Sequence, residues 1–264
     1  MFEYVFMQKA FLTGIILSVV ISCVGVILVL KRYAMLGDAL SHSALAGVCI
    51  GLLLGAAPTL TAIIACMAAS FAVTLIGRLL SHHKEVAIAI MMSLGIGLSG
   101  ILSGFIQSDV NLNSYLFGSI VAISNEEFLT SVILGICVLA FFFKFYYIFM
   151  YYAFDERMAA QSGIPVPLFN VLFTFLIGIT IAISARIVGA LIISSMLAVL
   201  AACGLLLGRS YRSTLWIAIL ISALCMISGL TISFYLGWKP GGSIVVLACV
   251  FYGFILFFKE GLRR

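Results

Sequence analysis

The sequence predicts an all-α polytopic membrane protein of about eight or nine transmembrane helices, and three observations carry that reading. Of 264 residues, 64% are hydrophobic and only 9% charged, and the mean hydropathy is +1.31. Apolar runs of about 18 residues or more, each long enough to cross a hydrocarbon core of about 30 Å, recur from one end of the chain to the other. The polar residues fall in short stretches between these runs, none long enough to fold as a separate unit. Residues 1–264 therefore read as one transmembrane domain.

Taken in order, the first run covers residues 10–30 and ends at Lys31-Arg32. It is too long for a secretory signal and lacks the small-residue cleavage pattern of one. The second, 34–54, stops near Pro58, and the third, 59–80, is closed by Ser81-His82-His83-Lys84-Glu85. The fourth, 86–106, carries Gly95, Gly97, Gly100 and Gly104, small residues that let helix backbones approach closely. Between Gln107 and Glu127 the chain turns polar, interrupted by Tyr115-Leu116-Phe117-Gly118-Ser119-Ile120-Val121. That insert is too short to span and reads as a re-entrant or interfacial piece. A fifth run, 128–147, has Lys144 near one end, placed to snorkel.

The one clearly polar interior segment follows, Phe154-Asp155-Glu156-Arg157-Met158-Ala159-Ala160-Gln161-Ser162-Gly163. Asp155 and Glu156 suit the first turn of a helix and Gly163 its end, with Pro165 and Pro167 opening the next span. Such a short amphipathic helix lies on the membrane surface or docks on a partner, and composition does not choose between the two. The remaining runs, 167–185, 187–207, 213–236 and 243–258, are punctuated by Arg186, by Gly208-Arg209-Ser210-Tyr211-Arg212 and by Gly237-Trp238-Lys239-Pro240-Gly241-Gly242.

The net charge of +5 does not indicate a nucleic-acid partner, because the basic residues sit in short loops between apolar runs. Seven cysteines all fall inside apolar segments and none forms a Cys-x-x-Cys pair, so they read as small buried hydrophobes rather than a disulfide or thiolate framework. Nine alternating spans with an outside N-terminus place Lys31, Arg32, Arg78, Lys84, Lys144, Arg157, Arg209, Arg212, Lys259, Arg263 and Arg264 on the cytoplasmic side. Only Lys9 and Lys239 fall outside, with Arg186 in or near the membrane. By the positive-inside rule this orients the chain, C-terminus in the cytoplasm.

The stretch Gly37-Asp38-Ala39-Leu40-Ser41-His42-Ser43-Ala44-Leu45-Ala46-Gly47 stands apart. It puts a carboxylate and an imidazole four residues apart, on one face of what otherwise reads as a membrane helix. Asp38 and His42 can reach one ion together, as oxygen and nitrogen ligands of intermediate softness. Ionisable groups in hydrocarbon are costly, which makes the pair a functional-site candidate. The plainer reading is that His42, Ser41 and Ser43 hydrogen-bond neighbouring helices. With the helix starting near Tyr33, a rise of about 1.5 Å per residue puts His42 roughly 13 Å deep, close to mid-membrane.

This stretch resembles the signature of the permease subunits of ABC importers for zinc, manganese and iron. Phe154-Asp155-Glu156-Arg157 followed by Gly163-Ile164-Pro165 resembles that family's cytoplasmic coupling segment, about residues 154–164. Tyr115-Leu116-Phe117-Gly118 and Ala185-Arg186-Ile187-Val188-Gly189-Ala190-Leu191 look like two further family motifs. The likeness covers nearly the whole chain, and Ala46, Ser119 and Ala201 stand where relatives often carry proline, aspartate and proline. The resemblance implies the type II importer permease fold and a pair of permease chains, most simply a homodimer, in a bacterial plasma membrane. It also implies a cytoplasmic ATPase dimer docked on Phe154, Asp155, Glu156, Arg157 and Gly163, and an extracytoplasmic metal-binding protein that delivers the ion. Asp38 and His42 would be the metal contacts, with zinc or manganese as cargo and no resident cofactor.

The residues agree on one point independently. No lysine is preceded by glycine, so the chain has no phosphate-binding Gly-x-x-x-x-Gly-Lys loop, and an ATP-driven motor must be another subunit. Gly97-Leu98-Ser99-Gly100 matches an intramembrane serine-protease pattern, but it needs a histidine base near Ser99, and the glycines are explained by helix packing. His82 and His83 read as a solvated loop beside Lys84, and Asp109, Glu126 and Glu127 as a wet loop or a cation-attracting mouth. An ATP-independent cation carrier using Asp38 and His42, or an ABC permease for a metal chelate, are the remaining alternatives. A carrier has no need of a docking helix at 154–163, and a chelate pathway has no need of a close Asp/His pair.

Overall fold

The computed structural model describes residues 4–79, 84–106, 112–119 and 124–261. Twelve α-helices follow in order: α1 (Val5–Leu30), α2 (Ala34–Leu54), α3 (Pro58–Leu79), α4 (Lys84–Ser103), α5 (Leu112–Phe117), α6 (Asn125–Lys144), α7 (Tyr146–Phe154), α8 (Glu156–Gln161), α9 (Val166–Ser184), α10 (Ala190–Leu207), α11 (Tyr211–Leu236) and α12 (Pro240–Gly261). A π-helical turn, Ala185–Gly189, joins α9 to α10. Among the described residues, nine of these helices are long and apolar enough to cross a membrane, and α5, α7 and α8 are not. The all-α polytopic reading holds. Span boundaries move by at most a few residues; α2 begins and ends where its apolar run does.

Side-chain contacts between helix ends fix the alternation of direction. At one end of the bundle, Lys31 after α1 meets Glu156 of α8, Tyr146 of α7 packs on Tyr211 of α11, and Lys259 of α12 donates to the Leu206 carbonyl of α10. At the other end, Lys9 of α1 donates to Asn125 of α6, and Tyr4 packs on Phe234 of α11. The insert α5 is seated at this second end, against the π turn, α10 and α12.

α1 and α2 form the buried centre, wrapped by α9, α10 and α11, while α6 and α12 lie outermost. A helix that is apolar all round is at home in this setting, because every face meets either protein or lipid. Several buried hydroxyls donate to backbone carbonyls, while those of Ser41, Ser184, Tyr211 and Ser222 have no partner among the described residues. Ser22 donates to the carbonyls of Ser18 at 2.8 Å and of Ala218 on α11 at 3.1 Å, and Ser70 of α3 donates to the Thr174 carbonyl of α9 at 3.1 Å. These hydroxyls tie helices together where hydrophobicity cannot.

Candidate functional site

α2 is packed on three sides, with close backbone approach to α3 and α4 and ordinary contact with α10. A Cβ at Gly37 would sit 3.5 Å from Ser194 Cβ of α10, and one at Gly47 would fall 2.7 Å from the Thr61 carbonyl of α3. On the α4 side, a Cβ at Gly95 would lie 3.0 Å from both the His42 carbonyl carbon and the Ser43 nitrogen. Leu36, Gly37, Ala39, Leu40, Ser41, Ser43 and Ala44 are buried as a result. One narrow face of α2 stays partly open, running from exposed Met35 through half-buried Asp38, His42 and Leu45. The sequence-predicted pair therefore shares a face, one helical turn apart, and that face is the one the described residues leave partly uncovered.

Among the described residues, no cluster of three or more His, Cys, Asp and Glu side chains could hold a metal ion. The described residues bring one carboxylate and one imidazole to the site. Ser99 donates its hydroxyl to the Ile96 carbonyl of its own helix at 3.0 Å, so among the described residues it is not engaged with a base of the protease kind.

The segment 154–163 folds as expected, through local capping. The Asp155 carboxylate accepts from the Arg157 N–H at 2.7 Å and the Met158 N–H at 3.4 Å, starting α8. Gly163, at φ +82°, turns the chain out of it. Only Ala159 is fully buried; Phe154 and Met158 are 65% and 59% exposed, and Arg157 and Gln161 are exposed beside them. Glu156 departs from this outward face: it is half-buried and paired with Lys31.

Lys31 was legible in the sequence only as a marker of sidedness, and its surroundings are more specific. Its ammonium also donates to the Tyr152 carbonyl at 3.3 Å and stands 3.6 Å from the centroid of the Tyr152 ring. Tyr152 is fully buried and donates its hydroxyl to Asn170 of α9. Burial, then the nearby Tyr33 and Glu156, push this phenol above its ordinary range, so it remains a proton donor.

The two other motifs noted in the sequence meet each other. A Cβ on Gly118 would collide with the Ile187 carbonyl, and one on Gly189 would fall 2.5 Å from the Leu116 carbonyl. Gly118 at φ +78° and Gly189 at φ +102° occupy backbone conformations that side chains resist. The π turn holds the backbone of Arg186. The Arg186 side chain, His82, His83, Asp109 and residues 120–123 lie outside the described residues, as do the side chains of Arg78 and Lys84. Of the four glycines in the fourth span, only Gly95 makes a close interhelical contact; a Cβ at Gly97 or Gly100 would meet nothing within 4 Å.

The family model described as "ABC 3 transport family" matches residues 3–259. The chain is 31% identical over 266 residues to the high-affinity zinc uptake system membrane protein ZnuB of Haemophilus influenzae, covering 99% of this chain and 100% of that one. It is 29% identical over 262 residues to the manganese import system permease protein ScaB of Streptococcus parasanguinis, covering 99% and 94%. Among solved structures, it superposes on PsaBC from Streptococcus pneumoniae in complex with Fab with a TM-score of 0.85 and 28% identity, covering 96% of this chain and 91% of that one.

Proposed function

The chain belongs to the ABC 3 transport family, and we propose that it is the membrane-spanning permease subunit of an ATP-driven importer for divalent transition metal ions. The single observation that carries the reading is the Asp38/His42 pair, half-buried on the one open face of an otherwise enclosed central helix. Relatives named for zinc and for manganese bracket the cargo. Carboxylate plus imidazole accommodates either ion, so the delivery protein has room to set the choice.

In this reading the bundle end that carries Lys31, Arg32, Lys144, Arg157, Arg209 and Lys259 faces the cytoplasm, and the C-terminus lies there too. A cytoplasmic ATPase dimer docks on Phe154, Asp155, Arg157, Met158 and Gly163 at the outward face of α8. An extracytoplasmic metal-binding protein hands the ion to the opposite end. Two permease chains, each offering one Asp and one His from the open face of α2, would surround the ion with up to four ligands. Alternating access then requires that this cage be complete in one state and broken in the other, because a permanently closed four-ligand site would trap its cargo. ATP is hydrolysed by the partner subunits, and the metal is cargo rather than a resident cofactor.

The test is uptake of radioactive zinc and manganese by cells expressing the chain with its ATPase and delivery protein, against Asp38→Ala and His42→Ala. Loss of uptake of one metal in both variants, at equal membrane expression, supports the pathway and names the cargo. An ATP-independent carrier would give uptake unaffected by loss of the ATPase, and would leave the exposed Phe154–Met158 surface without a purpose.

A further inference from the structure

We propose that Lys31 and Glu156 form a strut that transmits movement of α8 to the α1–α2 turn, and through it to Asp38 and His42. The inference rests on α8 being the ATPase dock and names the route by which the dock reaches the metal pair. Lys31 has 6% of its side chain exposed and Glu156 36%; a lysine so enclosed is rare unless paired. Its ammonium is fixed from three directions at once, by the Glu156 carboxylate, the Tyr152 carbonyl and the Tyr152 ring face. Tyr152 in turn is anchored to Asn170 on α9. Lys31 therefore links α8 to α7 and, through Tyr152 and Asn170, to α9.

The other side of Lys31 is equally constrained. It caps α1, and the chain leaves through a closed hydrogen-bonded turn: Arg32 N–H to Val29 at 3.0 Å and Tyr33 N–H to Leu28 at 2.9 Å. Arg32 sits in the left-handed region at φ +59° without being glycine, a conformation kept only where the surroundings enforce it. α2 begins immediately afterwards, with the Leu36 N–H bonded back to the Tyr33 carbonyl at 2.9 Å. Asp38 follows one helical turn further on. No loose residue separates the ammonium from the metal pair, so a push on Lys31 tilts α2 instead of being absorbed in a loop. Lys31 and Glu156 are positioning residues in this scheme and touch no metal.

The experiment uses the complete importer in proteoliposomes, with metal uptake and ATP hydrolysis measured on the same preparation. Lys31→Met and Glu156→Gln should still co-purify with the ATPase and hydrolyse ATP, while metal ions moved per ATP fall at least about fivefold, the lower end of usual coupling energies. Lys31→Arg, which keeps a cation for the Glu156 carboxylate, the Tyr152 carbonyl and the Tyr152 ring, should keep most of the ratio. A purely structural role would lower hydrolysis and transport together, or lower the amount of complex, and leave the ratio unchanged; either result overturns the strut. Should Lys31→Met fail to assemble, Tyr152→Phe, which frees the anchor from Asn170, gives the same reading through the ratio. A cysteine placed by Met158→Cys checks the premise separately. Failure to cross-link to the ATPase overturns both the dock and the strut, whereas a cross-link with an unchanged ratio overturns the strut alone.

Discussion

Gly95 of α4 lies directly on the backbone of His42, so close that an added methyl would stand 3.0 Å from the His42 carbonyl carbon and 3.1 Å from its Cβ. Those atoms belong to a helix braced by α3 and α10 and cannot give way as the end of a flexible side chain could. Gly95→Ala should therefore displace His42, at a cost of about 1–3 kcal/mol from overpacking, and Gly95→Val should do so more. The check is metal uptake at matched expression, with a graded loss from Ala to Val. Gly97→Ala, on the open side of the same helix, should leave uptake within experimental error of wild type.

The contact between α5 and the π turn makes a second, separable prediction. Gly189→Ala combines a positive φ of 102° with a collision at the Leu116 carbonyl. Such backbone positions cost about 1–3 kcal/mol for a non-glycine residue. The purified variant should unfold at a clearly lower temperature than wild type in the same detergent. Gly253→Ala, in the exposed interior of α12 with nothing within 4 Å, should not.

Asp155 starts α8 through its side chain, so its removal should loosen the docking helix without touching the metal pair. Asp155→Ala is expected to cost about 1 kcal/mol of local helix stability, seen as faster hydrogen exchange at Met158 and Ala159 and weaker co-purification with the ATPase. Asp155→Asn or Asp155→Ser keeps a capping oxygen and should restore both.

How much of this was legible in the sequence depends on the range of the interaction. The spans were legible because hydropathy is a local property, and α2 was bounded correctly by Lys31-Arg32 before it and Pro58 after it. Asp38 and His42 share a face for the same reason: a separation of four residues is decided within one helical turn. The Lys31–Glu156 pair was not legible, because 125 residues separate its members and Lys31 carries the same local signature as any loop cation. Glu156, read as part of the docking face, turns inward for that pairing. The glycines of the fourth span announced close packing without saying which face packs, and only Gly95 proved to face α2. The π turn left no mark in composition, although Gly189 within it sits at a positive φ and meets the backbone of α5.

The most direct test of the account is uptake of radioactive zinc and manganese by cells carrying the assembled importer with Asp38→Ala, His42→Ala or the unaltered chain. Uptake of one metal by the unaltered chain, abolished in both variants while membrane expression and ATPase association stay constant, is the predicted result. Normal uptake in both variants would contradict the assignment of Asp38 and His42 as the ion contacts.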